Sequence, residues 1–192
     1  MRIIAGQLRG RRLGAVPGRS TRPTSDRVRE ALFSRLQSRY ELSGVDVLDL
    51  FAGTGALGIE AVSRGASGLV SVELNRSAAH VLVDNLRGCG VTGRAEVIVR
   101  DVVVTLAGLA DRGRRFSGVF VDPPYGSGLA CAAIERLARH GLVAEGGWVS
   151  VETGGDEVLP EREGGLMRVH EAVYGDTKIT LYEYSAPEGQ QG

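Results

Sequence analysis

From residue 45 to residue 152 the chain alternates short strand-like runs with helix-patterned ones, and no other feature limits its fold so tightly. The runs VDVLDLF (45–51), GLVSVEL (68–74), AEVIV (95–99), GVFVDPP (118–124) and WVSVE (148–152) have the length and β-branched content of strands. Between them, helices are predicted over 55–64, 76–88, 102–110 and 129–140. Strands that alternate with helices form a mostly parallel sheet with crossover helices. The ending differs, because MRVHEAVYGDTKITLYEY holds two β-rich runs joined at Gly175-Asp176, an antiparallel hairpin signature. The expected architecture is α/β, with a seven-stranded, mostly parallel sheet and a C-terminal antiparallel hairpin.

Ahead of this series, residues 1–20 mix Ile3, Ile4, Leu8, Leu13 and Val16 with Gly and Arg, and Pro17-Gly18 closes them as a turn. That pattern fits a basic β-hairpin or arm over 1–22. In TRPTSDRVREALFSRL, Thr24 or Ser25 can cap a helix with Val28, Leu32, Phe33 and Leu36 on its apolar face. One domain over 23–185 follows, and 186–192 reads as a disordered tail. A chain of 192 residues, 43% hydrophobic, has no room for a second large domain. No stretch reaches the roughly 20 apolar residues of a membrane span, and MRIIAGQLRGRRL lacks a signal-peptide core, so a cytoplasmic protein away from membranes is expected. Cys89 and Cys131 read as buried free thiols, and His80, His140 and His170 lack metal-ligand spacing, so no metal is expected.

Net charge is zero, yet residues 1–40 hold ten arginines against two acids, and the remainder carries a matching negative excess. A neutral chain with a basic front end fits a polyanion that touches only that part. The candidates for phosphate contact are Arg2, Arg9, Arg11, Arg12, Arg19, Arg22, Arg27 and Arg29, whose planar guanidinium grips phosphate bidentately. On this reading, deleting residues 1–20 abolishes activity on the polyanionic substrate and leaves binding of a small ligand elsewhere nearly intact.

After the first strand, DLFAGTGALGIEA places Gly53, Gly55 and Gly58 as GxGxxG in a strand-to-helix turn. Such glycines let a backbone turn tightly against a ligand at the helix N-terminus. Glu73, at the end of the second strand, is placed to accept from two ribose hydroxyls. These features suit an adenosine-containing cofactor, either NAD or S-adenosylmethionine. Asp49 tips the balance, because a carboxylate there repels a pyrophosphate but attracts a methionine ammonium. Asp101 can accept from an adenine amino group or cap a helix.

The run GVFVDPPY then ends the fourth strand with Asp122, Pro123, Pro124 and Tyr125. The two prolines lock φ and leave carbonyls without adjacent donors. An exocyclic amine of a base is a poor nucleophile, and Asp122 with a proline carbonyl can accept its two N–H groups and aim its lone pair. Tyr125 can stack on the base, a task that needs only its ring.

Residues 45–152 thus resemble a Rossmann-like class I methyltransferase, with DLFAGTGALG as donor loop and DPPY as the amino-methyltransferase signature. RIIAGQLRGRRL followed by RPTSDRVREALF extends the resemblance over almost the whole chain, to the RsmD family of bacterial 16S ribosomal RNA guanine-N2 methyltransferases. The resemblance implies S-adenosylmethionine as methyl donor, S-adenosylhomocysteine as product, no metal, and a guanine of 16S rRNA in an assembling or assembled small subunit, acted on by a monomer. It assigns Asp49, Phe51, Ala52, Gly53, Thr54, Gly55, Gly58, Glu73, Leu74, Asp101 and Val102 to the donor, and Asp122, Pro123, Pro124 and Tyr125 to the guanine. Many relatives carry a basic residue soon after DPPY, whereas here Gly126-Ser127-Gly128 follows, so no phosphate contact is assigned to this loop. An NAD-dependent oxidoreductase, a methyltransferase of DNA or of a protein amide, and a non-catalytic RNA-binding module are the rival classes.

Overall fold

The computed structural model describes residues 1–16 and 26–186, which form two compact units, Met1–Arg100 and Asp101–Gly192. The expected cap at Thr24 or Ser25, the Pro17-Gly18 turn and most of the tail lie outside the described residues.

In the first unit, α1 (Asp26–Gln37) is followed by β1 (Asp46–Leu50), α2 (Ala56–Ser63), β2 (Gly68–Val72), α3 (Arg76–Cys89) and β3 (Ala95–Ile98). The strands run parallel in the order β3-β2-β1. Register sets Leu50 opposite Val72 and Val72 opposite Ile98, so all three strands finish level and the loops after them leave from one edge. Helix α2 packs on β1 and β2 through a nearly continuous apolar surface, and α3 lies against β3. The Asn75 side chain caps α3 by accepting from Ala78 N–H at 3.0 Å, and Gly90 ends it in the left-handed conformation.

Residues 1–16 are docked in this unit. Arg2 pairs antiparallel with Arg12, Ile3 N–H donates to Arg11 O at 2.9 Å, and Leu13 N–H to Met1 O at 3.1 Å. Ile3 and Leu13 point inward and are buried, while Arg2, Arg9, Arg11 and Arg12 are exposed.

The second unit holds α4 (Val102–Asp111), β4 (Phe116–Val121), α5 (Leu129–Arg139), β5 (Val143–Gly154), β6 (Arg162–Glu163), β7 (Leu166–Tyr174) and β8 (Thr177–Tyr184). Strand order is β4-β5-β8-β7-β6, with β4 parallel to β5 and the remaining pairs antiparallel. The hairpin of β7 and β8 turns at Gly175-Asp176, where Gly175 has φ 64°. The described residues form eight strands, one more than the seven expected. The extra one, β6, is only two residues long, too short to show a period-two pattern. Strand β5 begins at Val143 rather than 148, because a register shift against β4 and left-handed Gly146 let the chain pair before the apolar run starts. Trp148 is buried and meets Phe120 edge-on at 5.0 Å, fixing β5 against β4.

Cys89 is buried as expected, but Cys131 is exposed. Helix α5 buries Ala130, Ala133, Ile134 and Leu137, and the helical period turns position 131 outward. Among the described residues no helix is long and apolar enough to cross a membrane, and no group of three or more His, Cys, Asp or Glu could hold a metal ion.

Candidate active site

The glycine loop leaves β1 through Phe51, whose φ of 61° makes it the one described non-glycine residue with positive φ. A left-handed L-residue costs on the order of 1–2 kcal/mol, so the surroundings must hold it there. They do so by hydrogen bonds: Ala52 N–H donates to Val72 O at 3.0 Å and Gly55 N–H to Ala52 O at 2.7 Å. The Asn85 amide donates to Thr54 O at 2.9 Å. Gly55 has φ 86°, and a Cβ there would collide with Leu82. A Cβ on Gly58 would stand 2.7 Å from Leu69 and 2.9 Å from the Asp49 carboxylate. Glycine at both positions lets α2 start close under the loop.

Half-buried Glu73 closes the loop's other side. Its Oε2 accepts from Gly53 N–H at 2.8 Å and its Oε1 from Asn75 N–H at 2.7 Å. Each oxygen retains a further lone pair, so the carboxylate is held in place and can still accept from hydroxyls. Beside it Leu74 is 65% exposed, an apolar surface that a flat heterocycle could cover. The space around Gly53 is open, with only Phe51 O as near as 4.0 Å to a Cβ placed there. A fixed acid, an open glycine and an adjacent exposed apolar side chain fit an adenosyl group.

Asp49 sits differently from what its sequence position suggested. It is 1% exposed, and its Oδ2 accepts from Gly58 N–H at 3.0 Å. The carboxyl faces into the loop and pins the start of α2, shielded from solvent, with one oxygen occupied by Gly58. Burial pushes its pKa up to about 7, opposed by the Gly58 N–H and reinforced by Glu73.

In the second unit Asp101 is exposed and caps α4, accepting from Val104 N–H at 3.2 Å. The helix-capping role is thus filled, with one oxygen used for it. Val102 is buried, so its side chain belongs to the core.

The DPPY segment follows β4 directly. Asp122 is half-buried, Pro123 buried and Pro124 exposed. Of the two proline carbonyls, that of Pro124 already accepts the Ser127 hydroxyl at 2.6 Å. Tyr125 is 44% exposed, and its hydroxyl donates to Glu152 Oε1 at 2.8 Å and lies 2.9 Å from Thr177 Oγ1. The hydroxyl is therefore anchored, although stacking alone gave it no role. Burial, together with Glu152 and Asp122, pushes its pKa above the usual tyrosine range, partly offset by the Thr177 hydroxyl.

The basic residues divide. Arg2, Arg9, Arg11, Arg12 and Arg27 are exposed, and Arg11 donates to Gly88 O at 2.8 Å. Arg29, expected to meet phosphate, is fully buried and bonds Arg2 O at 2.5 Å and Asp26 at 3.0 Å. It is a strut between α1 and the arm, because its position falls on the inward face with Val28, Leu32 and Phe33. Arg19 and Arg22 lie outside the described residues.

Comparison with known proteins places this arrangement. A family model described as conserved hypothetical protein 95 matches residues 1–183. The ribosomal RNA small subunit methyltransferase D of Escherichia coli K12 is 37% identical, over 97% of this chain and 91% of that protein. The chain belongs to the RsmD family. The family's Haemophilus influenzae methyltransferase D is 33% identical, over 95% of this chain and 93% of its own length. Among solved structures, a hypothetical protein of Thermus thermophilus superposes with a TM-score of 0.82 at 37% identity, covering 94% of this chain and 98% of that one. A putative methyltransferase of Escherichia coli superposes with a TM-score of 0.83 at 37% identity, covering 97% of this chain and 99% of that one, so the chain has the α/β methyltransferase fold, with mostly parallel strands followed by the C-terminal antiparallel hairpin.

Sequence reasoning did not find Glu152, Thr177, Glu60, Ser63 or Asn85. The one available signal was Glu60, a lone acid in the apolar run ALGIEAVS, which only a buried partner can explain.

Proposed function

We propose that this chain is an S-adenosylmethionine-dependent methyltransferase that methylates the exocyclic N2 of a guanine in 16S rRNA, presented by the small ribosomal subunit. The observation that carries the reading is DPPY at the end of β4, in a chain matched over residues 1–183 by its family and 37% identical to a named small-subunit methyltransferase. Family membership supports rRNA as substrate. The two N–H groups of a guanine amine suit the acceptors that DPPY supplies.

When bound, the donor supplies a methyl group already activated by a sulfonium. Glu73 would accept from its ribose, Leu74 would cover its adenine and Asp49 would act on its ammonium from below the loop. Asp122 and the Pro123 carbonyl would each accept one guanine N–H, turning the nitrogen lone pair toward the methyl. Tyr125 would stack on the guanine. Rate would come from holding the guanine nitrogen in line with the methyl group, whose transfer leaves S-adenosylhomocysteine as a neutral thioether, and the proton of the methylated, cationic nitrogen would pass to Asp122 and on to water.

The donor half is tested by calorimetry with S-adenosylhomocysteine. Glu73→Ala is expected to weaken binding by about 1–3 kcal/mol, the size of hydrogen bonds to a charged group. An ammonium favours ionised Asp49, so binding should weaken as pH falls through about 7. The loss should reach roughly tenfold one pH unit below that value. The same carboxyl ionises near pH 4 when unfolded, so the unliganded protein loses stability as pH rises from about 4 to about 7. Affinity unchanged by Glu73→Ala, together with a flat pH profile, would refute the donor site. The substrate half is tested by methylation of small subunits with labelled donor.

A further inference from the structure

The Tyr125 hydroxyl is held by two strands. Glu152 on β5 is 5% exposed and accepts its proton at 2.8 Å, and Thr177 on β8 lies 2.9 Å away. Thr177 pairs directly with Gly154 across the β5–β8 ladder, and strand alternation puts Glu152, two residues before Gly154, on the same face. The ring leans on Gly154, where even a Cβ would be only 3.6 Å from it. A buried acid, a hydroxyl and a bare backbone patch thus meet one aromatic side chain that is still 44% exposed.

We propose that Glu152 and Thr177 are positioning residues that clamp the Tyr125 hydroxyl and so fix the tilt of the ring on which the target base stacks. The proposal rests on reading Tyr125 as that stacking surface. It adds that the surface is preorganised from β5 and β8, elements that take no part in the DPPY motif. The turn after it is held through its backbone and Ser127, by Gly126 N–H to Glu157 Oε2 at 3.1 Å and Ser127 Oγ to Pro124 O at 2.6 Å, contacts that fix the loop and leave the tilt of the ring to the clamp and to Gly154. A ring set before the substrate arrives loses less freedom on binding and holds the base amine in the attacking geometry.

The hydroxyl stays protonated across the working range, since burial and the facing carboxylate raise its pKa, so the donor to Glu152 persists. Its contribution can therefore be read by removing it. Tyr125→Phe is expected to slow single-turnover methylation of small subunits by about 10-fold, within the range for small misplacements of a reacting group. Thr177→Val should slow it in the same direction, and Glu152→Gln, which keeps an acceptor oxygen, should recover most of what Glu152→Ala loses. In the Tyr125→Phe background Glu152→Ala should add less than about twofold, because two residues acting through one hydroxyl are non-additive. S-adenosylhomocysteine affinity should stay unchanged in all of them.

If Glu152→Ala fails to fold, Tyr125→Phe and Thr177→Val still decide the matter. Wild-type rates for both, or a full Glu152 effect in the Phe background, would overturn the clamp. Tyr125→Ala separates the two levels. Slow transfer by Tyr125→Ala with unchanged Tyr125→Phe removes the clamp alone, while wild-type transfer by Tyr125→Ala removes the stacking surface itself.

Discussion

Asp122→Ala is expected to slow the methyl-transfer step by roughly 10²-fold or more, the cost of losing an oriented acceptor and the charge stabilisation it provides. Asp122→Asn should be less damaged, because one acceptor oxygen and most of the geometry remain. The order follows from chemistry. A neutral aromatic amine is far too weak an acid for an ordinary carboxylate to deprotonate beforehand. In the proposed reaction the carboxylate would therefore orient the amine and stabilise the cationic nitrogen as it forms. Half-buried Asp122 directly follows Val121, which pairs with Val151 on β5, so strand pairing sets where it stands. Single-turnover kinetics at saturating donor read this step. An Asp122→Ala rate equal to wild type, or an Asn variant worse than Ala, would remove Asp122 from the reaction.

Truncation of residues 1–16 should destabilise the protein by roughly 5 kcal/mol or more, summing lost core burial and stranded buried polar groups. The sequence reads residues 1–22 as a basic hairpin or arm, and the packing ties the first 16 of them to α2 and α3. Ile4 and Ala5 N–H groups donate to the fully buried Glu60 carboxylate at 2.8 and 3.0 Å, alongside Arg64 at 2.8 Å. Leu8 N–H donates to Ser63 Oγ at 3.0 Å, and Gly14 N–H to Asn85 Oδ1 at 2.7 Å. Asn85 also bonds Thr54 O, so the arm reaches the glycine loop through one side chain. Without the arm the Glu60 carboxylate loses two of its hydrogen-bond donors, a costly change for a packed acid. Since whole domains are stable by only about 5–15 kcal/mol, the truncated protein should melt far lower and bind S-adenosylhomocysteine poorly.

RNA contact is separated from stability by Arg9→Gln with Arg12→Gln. Both residues are exposed, so the melting temperature should hold while RNA binding weakens and its salt dependence flattens. A truncated protein as stable as the full chain would show that these contacts contribute little to the fold.

The legible part of this molecule was local. Strand and helix periods, the glycine turn, the acid at the end of β2 and the Gly175-Asp176 hairpin are each written within a few residues, and the structure forms those elements close to where they were expected. What escaped depends on residues far apart in the chain. Tyr125 and Thr177 are 52 positions apart, Ile4 and Glu60 56, and Gly14 and Asn85 71. No periodicity encodes such pairings, because each is set by how elements stack. Arg29 shows the same limit in one residue. Charge alone marked it for phosphate, whereas its place on the inward face of α1 buries it. Asp49 is a related case, since its position at the end of β1 was right for the loop but its side chain turns inward to Gly58.

The central claim, methylation of a guanine amine in small-subunit rRNA, is met most directly by product analysis. Small subunits lacking this methylation would be incubated with the full-length protein and methyl-labelled S-adenosylmethionine, and their 16S rRNA digested to nucleosides. Label is expected in a single product, N2-methylguanosine, dependent on Asp122. Label in a different nucleoside or in protein, or no transfer to subunits despite intact donor binding, would contradict it.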